Sequence, residues 1–264
     1  MEPRGQWVRA WKPHVPGIHE VFHARFVDHA YPAHTHEAWT VFTVDEGAVA
    51  YDLERKHRGV GGSKVTLLPP GVVHDGRPGG VEGYRKRVLY VGTEVLGEHL
   101  VGPAVDAPDV IAPPLVRNFR SLHRALGEPG DAFEAESLFA LLVDRLVDAL
   151  SGADPADESP RDGSLADELR DLIDSRLFVG ITLAEAGRIL GASPAHLVRS
   201  FTGRFGISPH RYLVGRRIDV ARGRLLEGHQ VAQVAADVGF HDQAHLTKHF
   251  KRLVGITPAR YRAA

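Results

Sequence analysis

The chain has 264 residues, no cysteine, 43% hydrophobic and 25% charged residues, and a formal net charge of −1. That length holds two domains with cores of their own, in the composition range of soluble globular proteins. The lack of cysteine excludes disulfides, thiolate zinc fingers and thiol redox sensing, and it fits a reducing cytoplasm.

The near-neutral total conceals an asymmetry. From Ser164 onward there are 15 Lys and Arg against 9 Asp and Glu; before it there are 17 against 24. A basic part joined to an acidic part predicts that only the former faces a polyanion. The longest apolar run, Leu138 to Val143, is far too short to cross a bilayer. Met1 to Arg9 lacks the basic-then-apolar order of a signal peptide. A cytoplasmic chain with no membrane partner is expected.

Residues from about 18 to 92 read as short strands broken by Gly and Pro turns, among them Trp39 to Val44, Ala48 to Leu53, Val65 to Leu68 and Arg87 to Val91. Short strands at this spacing favour a barrel or sandwich. Met1 to Ile18, with Trp7, Trp11, Pro13 and Pro16, shows no clear periodicity.

Residues from about 114 to 150 read as two helices separated by Gly127 to Gly130. In the second, Leu138, Leu142, Leu146 and Ala149 form a stripe widened by Leu141 and Leu150. The stripe serves either packing on the chain's own barrel or a homodimer partner, and the dimer is the expectation. Residues 151–163 have linker composition. The expected division is therefore 1–150, a linker at 151–163, and 164–264.

The last hundred residues read as seven helices with marked start signals. Ser164 precedes an acidic turn and the stripe Leu165, Leu169, Leu172, Ile173. Thr182 and Glu185 have capping-box spacing, Ser193-Pro194, Ser208-Pro209 and Thr257-Pro258 pair a cap with proline at the first helical position, and Asp242 is a further cap. A long helix is predicted from about Pro209 to Leu226.

Within this region one phrase occurs twice, 49 positions apart. Ala195, His196, Leu197, Val198, Arg199, Ser200, Phe201, Gly206, Ile207, Ser208, Pro209 and Tyr212 align with Ala244, His245, Leu246, Thr247, Lys248, His249, Phe250, Gly255, Ile256, Thr257, Pro258 and Tyr261. Only 198/247 and 200/249 differ in kind. A constant frame around changing side chains predicts one small reader used twice. Each copy fits a helix-turn-helix: Leu183, Ala186 and Ile189, then Val234, Ala235 and Val238, support second helices that bury Leu197 with Phe201 and Leu246 with Phe250. Such second helices enter the major groove of duplex DNA. There Arg199 offers paired donors to guanine, Gln243 can pair with adenine, Thr247 can touch a thymine methyl, and Lys248 is available. Arg216, Arg217, Arg222 and Arg224 on the long helix reach either phosphates or internal partners, with the internal role favoured.

The stretch Val234-Ala235, Gly239-Phe240, Asp242, Leu246, Lys248, Phe250-Lys251, Gly255, Thr257-Pro258, Tyr261-Arg262 resembles the signature of the AraC/XylS family of bacterial transcription regulators, over Ser164 to Arg262. The resemblance implies a bipartite, all-α, double helix-turn-helix domain. By position in that motif it implies base readers at Ala195, Val198 and Arg199, then Gln243, Ala244, Thr247 and Lys248, with His196 near the DNA backbone. Ala195 and Val198 are smaller and less polar than that pattern favours, which leaves the first reader dependent on Arg199. The resemblance also implies activation more than repression, with RNA polymerase as a candidate partner.

His34 and His36 lie two apart, Gly47 follows at a turn, and Gly62 leads through Val65 to Leu68 into Pro69-Pro70-Gly71 with His74 beyond. This resembles the cupin pattern, in which three histidines face the inside of a small β-barrel, and AraC-family ligand-binding domains use that barrel. The fold expected for the whole is thus α+β: an N-terminal cupin-like barrel with a helical dimerisation segment, then the C-terminal helical domain. By analogy an N-terminal arm can fold over the effector site. Metal-binding cupins usually carry Glu about four residues after the second His, where this chain has Thr40 and Val41. Three readings stay open for His34, His36 and His74: a divalent metal site, hydrogen-bonding groups of a small-molecule effector pocket, or structural histidines. No cofactor is certain. The candidate effector-binding set is His34, His36, Thr40, Phe42, Tyr51, His74, Arg77 and Arg85; Tyr84 and Arg87 are further candidates for the barrel wall. An arginine there would suit a carboxylate or phosphate. A cupin metalloenzyme or metal sensor fused to a DNA-binding domain is the alternative. Catalysis is not expected, and no catalytic residue is assigned: the Glu is missing, there is no nucleophile elbow, and Gly59 to Gly62 reads as a hairpin turn.

Overall fold

The computed structural model describes residues 5–54, 56–152 and 161–263. It divides into two compact units, one of Met1–Leu126 with Leu142–Pro155 and the other of Gly127–Leu141 with Ala156–Ala264.

The first unit carries ten strands in chain order: β1 (Trp7–Trp11), β2 (Ile18–Phe26), β3 (Tyr31–His34), β4 (Trp39–Gly47), β5 (Val49–Leu53), β6 (Lys56–Val60), β7 (Val65–Leu68), β8 (His74–Pro78), β9 (Tyr84–Val91) and β10 (Asp109–Val110). They form a six-stranded sheet in the order β1-β2-β9-β4-β7-β10 and a four-stranded sheet in the order β3-β8-β5-β6. Phe42, Val44, Tyr51, Leu53, Leu68, Tyr84 and Val88 fill the core. In β5 burial alternates, as a period of two requires. From Trp39 to Val44, β4 is buried throughout, so both of its faces are covered.

Short helices α1 (Thr93–Leu96) and α2 (Val101–Asp106) lead to α3 (Pro113–Ala125). The face of α3 bearing Leu115, Phe119 and Leu122 is buried, and Arg120 Nε donates to Asp45 Oδ1 at 3.1 Å. Trp7–Trp11, for which the sequence shows no periodicity, is an edge strand paired antiparallel with β2, Trp7 opposite Arg25 and Trp11 opposite Val21. This corrects the analogy with a folded-over arm: backbone hydrogen bonding to β2 commits these residues to the sheet.

Helix α4 (Ala132–Ser151) follows the Gly127–Gly130 break. Its first residues, through Leu141, belong to the second unit, so the expected boundary at 150 is revised. On the predicted stripe Leu142 and Leu146 are buried, whereas Ala149 is exposed. Most of the expected linker, 153–160, lies outside the described residues.

The second unit contains α5 (Arg161–Ser175), α6 (Leu183–Leu190), α7 (Pro194–Phe205), α8 (Pro209–Leu226), α9 (Val231–Asp237), α10 (Gln243–Val254) and α11 (Pro258–Arg262). Ser164 lies inside α5 and donates to Glu168 at 2.8 Å instead of capping the helix. The other start signals act as written. Thr182 and Glu185 form a reciprocal capping box. Ser193, Ser208, Asp242 and Thr257 each accept the amide three residues on. Such caps contribute about 1 kcal/mol each.

One core joins Leu169, Ile173, Leu183, Leu197, Phe201 and Leu213; another joins Val214, Ile218, Leu225, Val234, Leu246 and Phe250. Helix α8 feeds both, and at 18 residues it is roughly 27 Å long. Four of its five arginines have partners within the chain. Arg216 pairs with Asp174 at 3.1 Å, Arg217 donates to the carbonyls of Leu177 and Gly239, Arg222 reaches Tyr261, and Arg224 pairs with Asp237 at 2.7 Å. Among the described residues no helix is long and apolar enough to cross a membrane.

Candidate nucleic-acid interface and barrel site

Each reader helix starts at a side-chain cap and ends at a glycine in the left-handed region, Gly206 for α7 and Gly255 for α10. The two helices differ in what they expose. On α7, Arg199 is exposed and His196 partly so, but Ala195 is 8% and Val198 only 1% exposed. Val198 belongs to the core with Leu169 and Phe201, because α5 packs against α7. Ala195 and Val198 are therefore corrected from base readers to packing residues. On α10, Gln243, Ala244 and Lys248 are exposed and Thr247 is partly exposed. The Thr247 hydroxyl donates to the Gln243 carbonyl at 2.7 Å, which turns its methyl to the other side. Lys248 lies 3.0 Å from Glu128 and 3.2 Å from Asp131.

In the barrel, His34 at the end of β3 is the register partner of His74 at the start of β8. Their rings lie 4.6 Å apart, and His36, in the loop after β3, places its Nε2 3.2 Å from that of His34. The Nδ1 atoms of His34 and His74 lie 2.7 Å and 3.0 Å from the carbonyls of Pro32 and Val72. Such bonds put the proton on Nδ1 and leave Nε2 as a lone-pair donor. One nitrogen from each of the three rings falls within 4.8 Å of the others. The set is able to hold a divalent cation. Burial, followed by the charges of His74 and His34, lowers His36 to about 4, and burial also lowers His74, so both are neutral at pH 7.

These histidines line a cavity of about 60 Å³ together with Thr40, Phe42, Tyr51, Tyr84 and Lys86. That is room for roughly four to six water-sized groups. Thr40 Oγ1 and Tyr84 Oη are buried without a hydrogen-bond partner. Lys86 Nζ lies 4.4 Å from the centre of the Tyr31 ring, and burial lowers its pKa to about 8.

Two expected effector residues are elsewhere. Arg77 pairs with Asp75 at 3.2 Å and Asp52 at 3.6 Å. Arg85 pairs with Glu46 at 3.0 Å. Neither lines the cavity. Arg87 is also spoken for, 2.6 Å from Asp45, a carboxylate it shares with Arg120. The reason is strand parity. On β9 the cavity takes Tyr84, Lys86, Val88 and Tyr90, so odd-numbered Arg85 and Arg87 point the other way. Lys86, Tyr31 and Tyr90 were missed, and that alternation was the signal for two of them.

A small histidine-lined barrel followed along the chain by a capped helix-turn-helix repeat defines a class of two-domain helix-turn-helix proteins. The chain matches the "AraC-like ligand binding domain" over residues 16–143 and a "Helix-turn-helix domain" over residues 187–264. It is 28% identical over 132 residues to the uncharacterized HTH-type transcriptional regulator YbfI of Bacillus subtilis, covering 50% of this chain and 48% of that one. It is 24% identical over 208 residues to the arabinose operon regulatory protein of Salmonella typhimurium, covering 75% and 74%. A solved structure, the AraC-like transcriptional activator CuxR, aligns over 81% of this chain and 79% of that one at 18% identity and a TM-score of 0.45. The chain spans about half the length of the Bacillus relative. It belongs to the AraC family of transcriptional regulators.

Proposed function

We infer that this protein is a cytoplasmic, sequence-specific DNA-binding regulator of transcription that responds to a small effector held in its barrel and acts by binding, not catalysis. The observation that carries the DNA half is the matched placement of Arg199 and Lys248, exposed at equivalent positions of two capped helices that both pack on α8. Arg199, with His196 beside it, serves the first reader; Gln243, Ala244, Thr247 and Lys248 serve the second. Two such readers joined through one helix suit successive major grooves of a duplex.

The effector half rests on the cavity. Lys86, neutral imidazoles and the unpartnered hydroxyls of Thr40 and Tyr84 suit a compact anion of a few heavy atoms, such as a short carboxylate. The effector acts by linkage, favouring the state of the chain that binds it better and so shifting DNA occupancy. Among the described residues no carboxylate joins His34, His36 and His74 in their cluster, which weighs against a metalloenzyme. A homodimer, through a surface other than Leu142 and Leu146, which the single chain already buries to 1% exposure, and contact with RNA polymerase as an activator complete the proposal.

The test is selection from a randomised duplex library by the full chain, then binding to the selected duplex with short carboxylates or zinc added. A selected motif whose affinity changes at least about threefold with a carboxylate, about 0.65 kcal/mol, supports the reading. Enrichment of no motif would sink the DNA half. Response to zinc alone would replace the anion with a metal at the three histidines.

A further inference from the structure

We propose that Gly127–Leu141 is a built-in competitor for DNA: Glu128 and Asp131 hold Lys248, and nucleic acid must displace them to engage the second reader. The proposal rests on the DNA-binding reading above and adds a regulatory element to it.

Asp131 is 5% exposed by side chain and is saturated with donors. Its Oδ2 takes Lys248 Nζ at 3.2 Å, and its Oδ1 lies 3.0 Å from His245 Nε2 and 3.3 Å from His249 Nε2. Burial alone would raise this carboxyl; the bonds from His245 and His249 and the Lys248 charge hold it well below the usual carboxylate range. His245, Lys248 and His249 all sit on α10, so one buried carboxylate grips three side chains of the reader helix. The backbone amide of His241 lies 3.4 Å from His245 Nδ1. That makes Nε2 the protonated nitrogen, which donates to Asp131. A cation at Nε2 would need the opposite tautomer, so the cluster reads as a hydrogen-bonded clamp and not as a metal site.

The backbone is shaped for this contact. Gly130 has φ +90, and a Cβ there would fall 2.5 Å from His245 Nδ1 and 2.9 Å from His241 Cβ. Only glycine lets the loop lie this close to the start of α10. The same segment is anchored on the first reader as well. Phe133 packs in the core with Leu183 and Leu197, and Glu136 accepts the Leu183 amide at 2.7 Å. It therefore ties both readers to one another. Along the chain it is continuous at both ends with the barrel unit, so Glu128 and Asp131 lie on a segment covalently joined to that unit.

Two carboxylates at Lys248 oppose DNA in two ways: they occupy its donors and they repel phosphate. The outer pair is the adjustable one, since Glu128 and Lys248 are 47% and 46% exposed. The inner carboxylate is the anchor.

The test uses the full chain, its Glu128→Gln and Lys248→Ala variants and the double variant. Acetylation of Lys248 by an amine-acylating reagent, read by mass spectrometry without DNA, is expected to run at least about twofold faster in Glu128→Gln. The same variant should bind a randomised 30-base-pair duplex pool about two- to fivefold more tightly at low salt, the range of one exposed ion pair, and that gain should vanish in the Lys248→Ala background. An unchanged acetylation rate overturns the proposal. So does a gain that survives undiminished without Lys248, which would be general charge removal. Faster acetylation with no duplex bound by any variant would instead overturn the DNA-binding reading, so the two failures are told apart.

Discussion

Val198 and Thr247 hold the same position in the two copies of the reader, yet Val198 is 1% exposed in the core under α5 while Thr247 is partly open to solvent. One sequence frame has thus produced two different surfaces, because α5 covers part of the first reader. Val198→Ala is expected to cost about 1–3 kcal/mol of stability through the cavity it leaves, with base preference unchanged. Thr247→Ala should leave stability within about 0.5 kcal/mol and alter preference at one base. Denaturant unfolding beside duplex selection separates the two; a changed motif for Val198→Ala would return it to the DNA surface.

With Ala195 and Val198 packed inward, the base contacts proposed for the first reader fall to Arg199. Arg199→Ala should cost about 1–3 kcal/mol at the selected duplex and relax specificity at one position, as expected of a side chain bonded to a guanine edge. Titration against selected and random duplexes distinguishes the roles. An equal loss on both would reassign Arg199 to phosphate contact.

Much of the second unit was legible because its signals are local. Caps at Thr182, Ser193, Ser208, Asp242 and Thr257 each act over three residues, and the apolar spacing of Leu197 with Phe201 and of Leu246 with Phe250 follows from helical geometry. The barrel was less legible. His34, His36 and His74 were found through the resemblance to the cupin pattern, but Arg85 was preferred to Lys86 by charge chemistry when strand parity on β9 decided the matter. The partnership of Asp131 with His245, His249 and Lys248 crosses more than a hundred residues of sequence. No local pattern announces a contact of that range, and the acidic loop read simply as a break between helices.

Lys86 supplies a prediction of opposite sign to most buried contacts. Its folded pKa of about 8 lies below the unfolded value of about 10.4. Between these values the unfolded chain binds more protons, so stability rises with pH across that window and the penalty is fully present below about pH 8. Lys86→Met should therefore stabilise the chain at pH 7 by about 1–2 kcal/mol, the relief of desolvation less the lost contact with the Tyr31 ring. The gain should fade toward pH 10, and the same variant should abolish the response to a carboxylate effector. Unfolding curves at pH 7 and pH 10 check the first part; a stability difference that does not change with pH would show that the Lys86 charge is well solvated in the fold.

The pair His23 and His123 makes the barrel unit sensitive to acid. His23 Nε2 and His123 Nδ1 are 2.8 Å apart, one ring donating to the other, and His123 packs on Phe119 with ring centres 4.5 Å apart. Burial, then the nearby Arg87 charge, lowers His23 to about 4; burial, then His23, holds His123 well below the ordinary value. An unfolded histidine takes its proton near about 6.5. Below that pH the unfolded chain binds protons that these rings refuse, so their stability contribution is complete above about 6.5 and is lost as pH falls toward 4. His36 and His210, also lowered to about 4 by burial, act in the same direction. His123→Phe keeps the ring packing and removes one of these titrations. It should cost about 1 kcal/mol at pH 8, where the hydrogen bond with His23 is lost, and flatten the fall in stability between pH 6.5 and pH 4. Denaturant midpoints followed across that range decide the point: parallel profiles for the wild type and His123→Phe would mean that the pair is not a source of the acid sensitivity.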